Sequence, residues 1–445
     1  MASPSPATPP ISRTDPPGRP AAIVIVGAGP AGASLALRLA RSGQPVTLVE
    51  ASPLERLDRQ FRGEALMPHG LAALKAMGLL PLPATVPQRP LAGWRFVLDQ
   101  RQLFQLAEPL EASPAAVACT LISQPALLRQ WLQELEGLPA AQVLLGVRVS
   151  GLLRRDGRVR GVELADGRTL EAPLVVAADG RGSRLRQQAE LTLRRAGSPI
   201  DLLWFRLDGH DPSPLGGCFT TVVGPTGLFS AFDSASGGVQ LGWVVDRQPG
   251  DRGSAHSPAE GGATPWAERF AALSPPPLAA WLRASADALQ EPVPLRVEVG
   301  QAERWWRPGL LLLGDAAHPM SPVRAQGINL ALRDACSAAE ELLAALAPAM
   351  GAEASLDRAL DGALARIEER RRPESETLQR LQAEETRRGT LLRQNGGLRH
   401  TLALAAPWLG PLVARRWRQQ QTPLRLGIAT LSGASDAAGS SPQRQ

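Results

Sequence analysis

The sequence predicts an α/β fold whose parallel sheet meets a ligand at its carboxyl ends, and three observations lead there. Residues 21–26 form a β-branched apolar run that stops at Gly27-Ala28-Gly29-Pro30-Ala31-Gly32, and a helix-like pattern follows over 30–41. A second run, 45–49, ends in Glu50, eighteen residues after Gly32. Two further apolar runs, 174–178 and 309–313, deliver Asp179 and Asp315 at the strand ends where open α/β sheets bind ligands.

Strand, tight turn and helix make the Rossmann-like arrangement for a dinucleotide. Gly27 allows the turn, Gly29 lets the backbone approach a pyrophosphate, and Gly32 lets the helix pack closely on the strand. Pro30 and Ala31 open that helix, whose free N–H groups and positive dipole end face the phosphates. Glu50 is placed to bond both ribose hydroxyls. Between 142 and 178, apolar runs broken by Asp156-Gly157 and Asp166-Gly167 predict an antiparallel meander.

Residues 91–108 and 200–299 contain β-like runs separated by glycine and proline turns, which suits a mixed sheet roofing the dinucleotide. From 331 to 347, leucine and alanine recur at helical spacing; the pattern resumes over 356–381 with a break expected at Pro373. Residues 402–418 combine apolar side chains with Arg415, Arg416 and Arg418. Packing on the dinucleotide-binding part is the favoured reading there, because Pro407 and Pro411 interrupt the apolar face that peripheral membrane contact needs.

The 445 residues exceed one average domain. Lysine and arginine number 48 against 42 acids, giving a pI near 10.5, yet Lys75 is the single lysine and the arginines are spread along the chain. Spread arginines without interleaved aromatics argue against a nucleic-acid partner. Cys119, Cys218 and Cys336 are odd in number and widely spaced, which excludes a disulfide framework or zinc site and suits a reducing, cytoplasmic setting. Residues 1–20 lack the apolar core of a secretory signal, and no run approaches the roughly eighteen apolar residues of an integral membrane segment.

Three separated segments together carry a family resemblance from about Ile23 to about Leu343. The dinucleotide loop, Asp179-Gly180-Arg181-Gly182-Ser183 and Gly314-Asp315-Ala316-Ala317-His318 resemble those of the class A flavoprotein aromatic hydroxylases, the family of para-hydroxybenzoate hydroxylase. The resemblance implies FAD, bound by Gly27, Gly29, Pro30, Ala31, Gly32, Glu50, Asp179, Gly314 and Asp315. It also implies that Arg62, in Phe61-Arg62-Gly63-Glu64, and Gln124 contact the FAD. The segment Gln326-Gly327-Ile328-Asn329-Leu330 opens a helix whose N–H groups stabilise the anion of reduced flavin, making Gly327, Ile328 and Asn329 cofactor contacts.

In such a family NADH or NADPH reduces the flavin, oxygen adds at its C4a carbon, and the resulting hydroperoxide hydroxylates an aromatic or other apolar small molecule. No metal is implied. The expected organisation is a disordered extension over 1–20, a discontinuous FAD-binding domain over 21–90, 118–190 and 295–350, and a substrate domain over 91–117 and 191–294. A C-terminal helical region over 351–432 and a disordered tail over 433–445 complete it.

One departure falls beside the reactive face. Where the family usually has glycine after Pro-x, this chain reads Pro322-Val323-Arg324-Ala325. Arg324, Pro322 and His318 are the candidate catalytic residues; Arg324 has three open readings, binding a substrate carboxylate, steadying anionic flavin, or turning outward. The chain has no tyrosine, so a proton relay falls to His69, His210 or His318. Lys75 in an apolar helix-like stretch and the adjacent Trp305 and Trp306 argue against a halogenase. Two other functions stay open: an FAD-dependent reductase or quinone- or isoprenoid-modifying oxidoreductase at a membrane surface, and a non-catalytic FAD-binding protein. Oligomeric state stays open too.

Overall fold

The computed structural model describes residues 23–57, 64–113, 115–196, 200–208, 212–247, 263–347 and 353–428. The extension 1–20, the tail 433–445, Arg62 and His210 lie outside them. Strand Ile23–Val26 is central in a six-stranded sheet. On one side run Val46–Glu50 and Ala141–Leu145; on the other run Val175–Ala177, Leu310–Leu312 and the edge strand Trp306–Arg307. Every pairing is parallel except the last.

Alternation along the central strand explains why its sequence is apolar throughout. Ile23 and Ile25 enter one core with Leu35, Leu37 and Leu39 of helix Pro30–Arg41, whereas Val24 and Val26 enter another with Val159 and Val162. A strand covered on both faces has no position left for a polar residue. The second core is roofed by the expected meander, strands Val149–Arg155, Arg158–Leu164 and Thr169–Glu171. Its first hairpin turns at Asp156 and Gly157 with φ of 53° and 75°, the left-handed pair that a two-residue turn requires.

The expected roof forms one seven-stranded sheet, ordered Val293–Leu295, Ile200–Leu207, Val239–Asp246, Leu228–Asp233, Cys218–Val223, Gly93–Leu98 and Arg101–Ala107. It is mixed because Cys218–Val223 pairs parallel to Gly93–Leu98. Its aromatic residues divide by face. Phe205, Phe229 and Trp243 pack with Trp266 and Phe270 on helix Ala263–Leu273. Trp94, Trp204, Phe219 and Phe232 cluster on the opposite face with Ala65, Met67 and Ala325.

Two helix expectations are corrected. Helix Glu353–Gln394 runs through Pro373 without a break. Proline removes one backbone hydrogen bond, but Arg371 and Glu374 beside it are buried and ion-paired to helix Gln326–Leu346. Arg371 Nε reaches Asp334 at 2.9 Å and Arg333 reaches Glu374 at 2.9 Å, contacts that exist only if both turns stay helical. Burial opposes the Glu374 charge, and the Arg371 and Arg333 guanidinium groups outweigh it, holding the carboxyl at about 2.

Likewise Pro407 and Pro411 lie within helix Ala406–Leu426 rather than interrupting it. Pro407 occupies the first turn, where the N–H groups have no intrahelical partner to lose. The inner face of this helix packs mainly on strand Arg101–Ala107 of the roof, not on the dinucleotide-binding sheet: a Cβ at Gly410 would lie 2.3 Å from the Leu103 carbonyl oxygen. Arg425 is clamped between carboxylates, Nε reaching Glu111 at 2.8 Å and Nη2 reaching Glu108 at 2.8 Å. Glu108 also accepts from Trp94 Nε1.

Replacing Arg425 with alanine leaves the Glu108 carboxylate stranded in the interior and Glu111 unpaired at its margin. A loss of about 3–5 kcal/mol in unfolding free energy is expected, since removing one partner of a buried ion pair costs that much. Urea denaturation measures it; a loss below about 1 kcal/mol, the scale of an exposed pair, contradicts the clamp.

Candidate functional site

The glycine loop is dictated by close backbone approach. A Cβ at Gly27, where φ is +103°, would lie 2.3 Å from the Ala178 carbonyl oxygen, and one at Gly32 would lie 1.9 Å from that of Gly27. At Gly29, by contrast, nothing lies within 4 Å, so the loop is open above the first turn of helix Pro30–Arg41. Pro30 takes the first turn and Ala31 is buried behind it. Glu50 ends its strand against the loop, accepting from the Ala28 and Ser52 N–H groups at 2.8 Å each.

The other two segments close on this loop. Asp179 Oδ2 accepts from the N–H groups of Arg184 at 3.0 Å and Leu185 at 3.3 Å, which caps helix Arg184–Gln188. Its other oxygen, Oδ1, is buried without a partner, and burial pushes the carboxyl above its ordinary range. Asp315 binds Arg181 Nε at 3.1 Å, joining the second segment to the third. Gly314 abuts Ala31: a Cβ at Gly314, φ +60°, would lie 3.3 Å from the Ala31 side chain.

Gly327 and Ile328 occupy the first turn of helix Gln326–Leu346, which no side chain caps. Asp315 Oδ1 lies 3.9 Å from where a Gly327 Cβ would stand. Open space over Gly29, Gly180 and Gly182, the orphaned Asp179 oxygen and an uncapped helix start together fit a dinucleotide with a flavin ring. Gln124 is buried as the first residue of helix Gln124–Glu136.

The Asn329 side chain is not free for a cofactor. Its Oδ1 accepts from Met67 N–H at 2.8 Å and its Nδ2 donates to Ala65 at 3.0 Å and Ala325 at 2.8 Å, so it ties residues 65–67 to the helix start.

Of the three readings of Arg324, the outward one is corrected by its burial. Its guanidinium lies 5.0 Å from the Trp94 ring centre, 5.5 Å from Phe96 and 4.9 Å from Trp417, and its Nε donates to Glu385 at 2.8 Å. The side chain is only 6% exposed. Aromatic faces and a carboxylate from the C-terminal helices offer more than water does, so the cation turns inward. Arg324 and Ala325 both adopt left-handed backbone, φ 57° and 49°, which shapes the turn into helix Gln326–Leu346. Pro322 begins this turn, its carbonyl accepting from Ala325 N–H at 3.0 Å.

Of the relay candidates, His69 and His318 are described, and both are buried. His318 is bonded through Nε2 to Asp334 at 2.6 Å and packed at a tilt on Trp305 with ring centres 4.7 Å apart. Asp334 is bound in turn by Arg371, so His318 belongs to the ion network behind the site. Burial lowers the His69 imidazole to about 3, leaving it neutral. Lys75 is exposed on helix Pro68–Ala76.

Sequence reading missed Glu64. Its carboxylate is buried beside the inner aromatic cluster and accepts from Ser234 Oγ at 2.9 Å, Ala235 N–H at 3.2 Å and Gln240 Nε2 at 3.2 Å. Trp204 Nε1 donates to Gln240 Oε1 at 2.8 Å, extending the network into that cluster. Burial pushes the Glu64 carboxyl up. Only its place next to Arg62-Gly63 in a quoted motif signalled it; its partners are more than 160 residues away.

Residues 20–369 match the family described as FAD binding domain. The chain is 35% identical to 6-methylpretetramide 4-monooxygenase of Streptomyces rimosus over 374 residues, covering 82% of this chain and 83% of that one. It belongs to the FAD-dependent monooxygenases of the para-hydroxybenzoate hydroxylase type. This monooxygenase is also 31% identical to ubiquinone hydroxylase UbiL of Rhodospirillum rubrum, over 79% of its own length and 78% of the relative's. Among solved structures it resembles Pseudomonas aeruginosa PqsL in complex with 2-aminobenzoylacetate, with TM-score 0.71 at 23% identity, covering 86% of this chain and 99% of that one. As an FAD-dependent oxidoreductase it takes NADH or NADPH as the donor typical of its family. Among the described residues no helix is long and apolar enough to cross a membrane.

Alanine at Glu50 is expected to leave a folded monooxygenase whose FAD affinity falls about a hundredfold, the worth of two charge-assisted hydrogen bonds. Ultrafiltration with flavin absorbance reads this; stoichiometric retention of FAD contradicts the assignment. Glycine at Arg324 removes the caged cation while relieving about 1 kcal/mol of left-handed strain. A net stability loss of about 2 kcal/mol is expected from the uncovered Glu385. Stopped-flow reduction by the nicotinamide donor should stay within about threefold of the parent, under 1 kcal/mol in barrier; a larger change restores a direct role at the flavin.

Proposed function

We propose that this monooxygenase hydroxylates a ring-bearing small molecule held between the inner face of the seven-stranded sheet and the first turn of helix Gln326–Leu346. The observation that carries this reading is the apolar cluster of Trp94, Trp204, Phe219 and Phe232, reaching Ala325 at the helix start and edged by the buried Glu64 carboxylate. Aromatic walls with one convergent polar group orient a ring while excluding water. Relatives named as a 6-methylpretetramide monooxygenase and a ubiquinone hydroxylase support a ring as the substrate class.

FAD, when bound, supplies the oxygen-transfer chemistry, with NADH or NADPH as electron donor. Gly27, Gly29, Pro30, Ala31, Gly32 and Glu50 hold its adenosine and pyrophosphate side, and Asp179, Gly314 and Asp315 its flavin side. Gln124 would add a polar contact. The N–H groups of Gly327 and Ile328, in the uncapped first turn of their helix, would favour the negative edge of the flavin through the helix dipole. The reading places Glu64 as the proton acceptor for a substrate hydroxyl, the role that no tyrosine can fill in this chain. We place the enzyme in the cytoplasm, supported by the free, buried Cys119, Cys218 and Cys336.

An oxygen-consumption screen of holoprotein with NADH or NADPH against aromatic acids, phenols and quinones tests the activity. At least one class should accelerate donor oxidation and yield a product carrying one added oxygen; stimulation by none contradicts the reading. Because burial raises the Glu64 carboxyl, its accepting form is lost as pH falls through that raised value. Glu64→Gln should lower kcat about a hundredfold, the scale of one positioned base, and abolish the acidic limb of the kcat profile. An unchanged limb assigns Glu64 to holding Ser234 and Gln240 alone.

A further inference from the structure

The corner between helices Gly396–Leu404 and Ala406–Leu426 exposes an apolar surface beside a basic one. Trp408 is 77% exposed and Leu412 64%, with Leu404 and Leu409 exposed beside them. Residues 408, 412 and 415 follow helical spacing, so the apolar turn and the exposed Arg415 and Arg416 share the outer face. The inner face is buried, Gly410 and Ala414 against the roof and Gln421 and Leu424 against helices Glu353–Gln394 and Gln326–Leu346. Packing therefore uses one side of this helix and, among the described residues, leaves the other without a partner.

Charge selects the partner. No acidic residue occurs from 386 through 435. The nearby acids of packed elements are committed elsewhere: Asp99 to Arg399, Glu108 and Glu111 to Arg425, and Glu385 to Arg324. Among the described residues, Arg415, Arg416 and Arg418 thus present uncompensated charge next to exposed leucine and tryptophan. We propose that this corner rests on an anionic phospholipid surface, with Trp408 and Leu412 entering the boundary between headgroups and acyl chains and Arg415 and Arg416 meeting phosphates.

Tryptophan and leucine tips flanked by arginines are the composition that such a boundary holds in plane, since neither signal alone anchors stably. A second copy of the chain fits less well. A twofold contact places the patch against itself and brings the arginines of both copies together. The proposal concerns where the enzyme sits and does not depend on which ring it hydroxylates.

Co-sedimentation of full-length holoprotein with vesicles tests it. The protein should pellet with equal mixtures of phosphatidylglycerol and phosphatidylcholine at low salt, and much less with phosphatidylcholine alone or at high salt. Arg415→Gln with Arg416→Gln should weaken partitioning about thirtyfold, two charges at about fivefold each. Trp408→Ser with Leu412→Ser should weaken it about tenfold or more. FAD content and donor oxidation in solution should match the parent for all variants, which confirms folding. The proposal is overturned if the parent stays in the supernatant with anionic vesicles, or if both double variants pellet as the parent does. It is equally overturned by a dimer in light scattering that the Trp408 and Leu412 changes abolish, because the occupant is then a second copy.

Discussion

Everything at the site depends on how closely three stretches of backbone meet. The carbonyl of Gly27 lies where a Cβ at Gly32 would fall, and the Ala178 carbonyl lies where one at Gly27 would fall. Only glycine permits either approach, and the approach brings the first helix start beside the end of the neighbouring strand. Asp179 then follows directly, and the Arg181–Asp315 pair draws in the third segment. Open space is left above Gly29 because its neighbours are so tightly drawn together.

A second constraint reaches the site from the C-terminal helices. Arg324 stands at the turn before helix Gln326–Leu346, yet its charge is held by Glu385 and its plane by Trp94, Phe96 and Trp417. One residue thereby fastens the loop before helix Gln326–Leu346 to the roof and to two C-terminal helices, Glu353–Gln394 and Ala406–Leu426. Arg425 does the same from the far end of its helix through Glu108 and Glu111. The helical region is therefore part of the site's framework, and its outer face alone remains for a partner.

The elements read from sequence were those set by local chemistry. Alternating burial on both faces demanded the apolar strands, Asp156-Gly157 demanded a tight hairpin, and the glycine spacing demanded a strand, turn and helix. The helix break expected at Pro373 failed because buried ion pairs outweigh proline's local penalty, and Pro407 is accommodated in an unused first turn. Glu64 and the cage around Arg324 were illegible for a different reason. Their partners lie far along the chain, and no spacing rule connects them.

By itself the sequence determined the class of fold, the dinucleotide and its flavin through three ordered motifs, because each motif is a short stretch whose backbone geometry admits few residues. Tertiary structure alone decided the direction of long side chains. Arg324 could reach flavin, substrate or solvent with equal covalent freedom, and the choice fell to aromatic rings and a carboxylate brought from other elements. His318 was likewise claimed by Asp334 and Trp305, and Asn329 by the backbone of residues 65–67. A buried polar group bonds whatever the fold places beside it, and that placement is written in no local pattern.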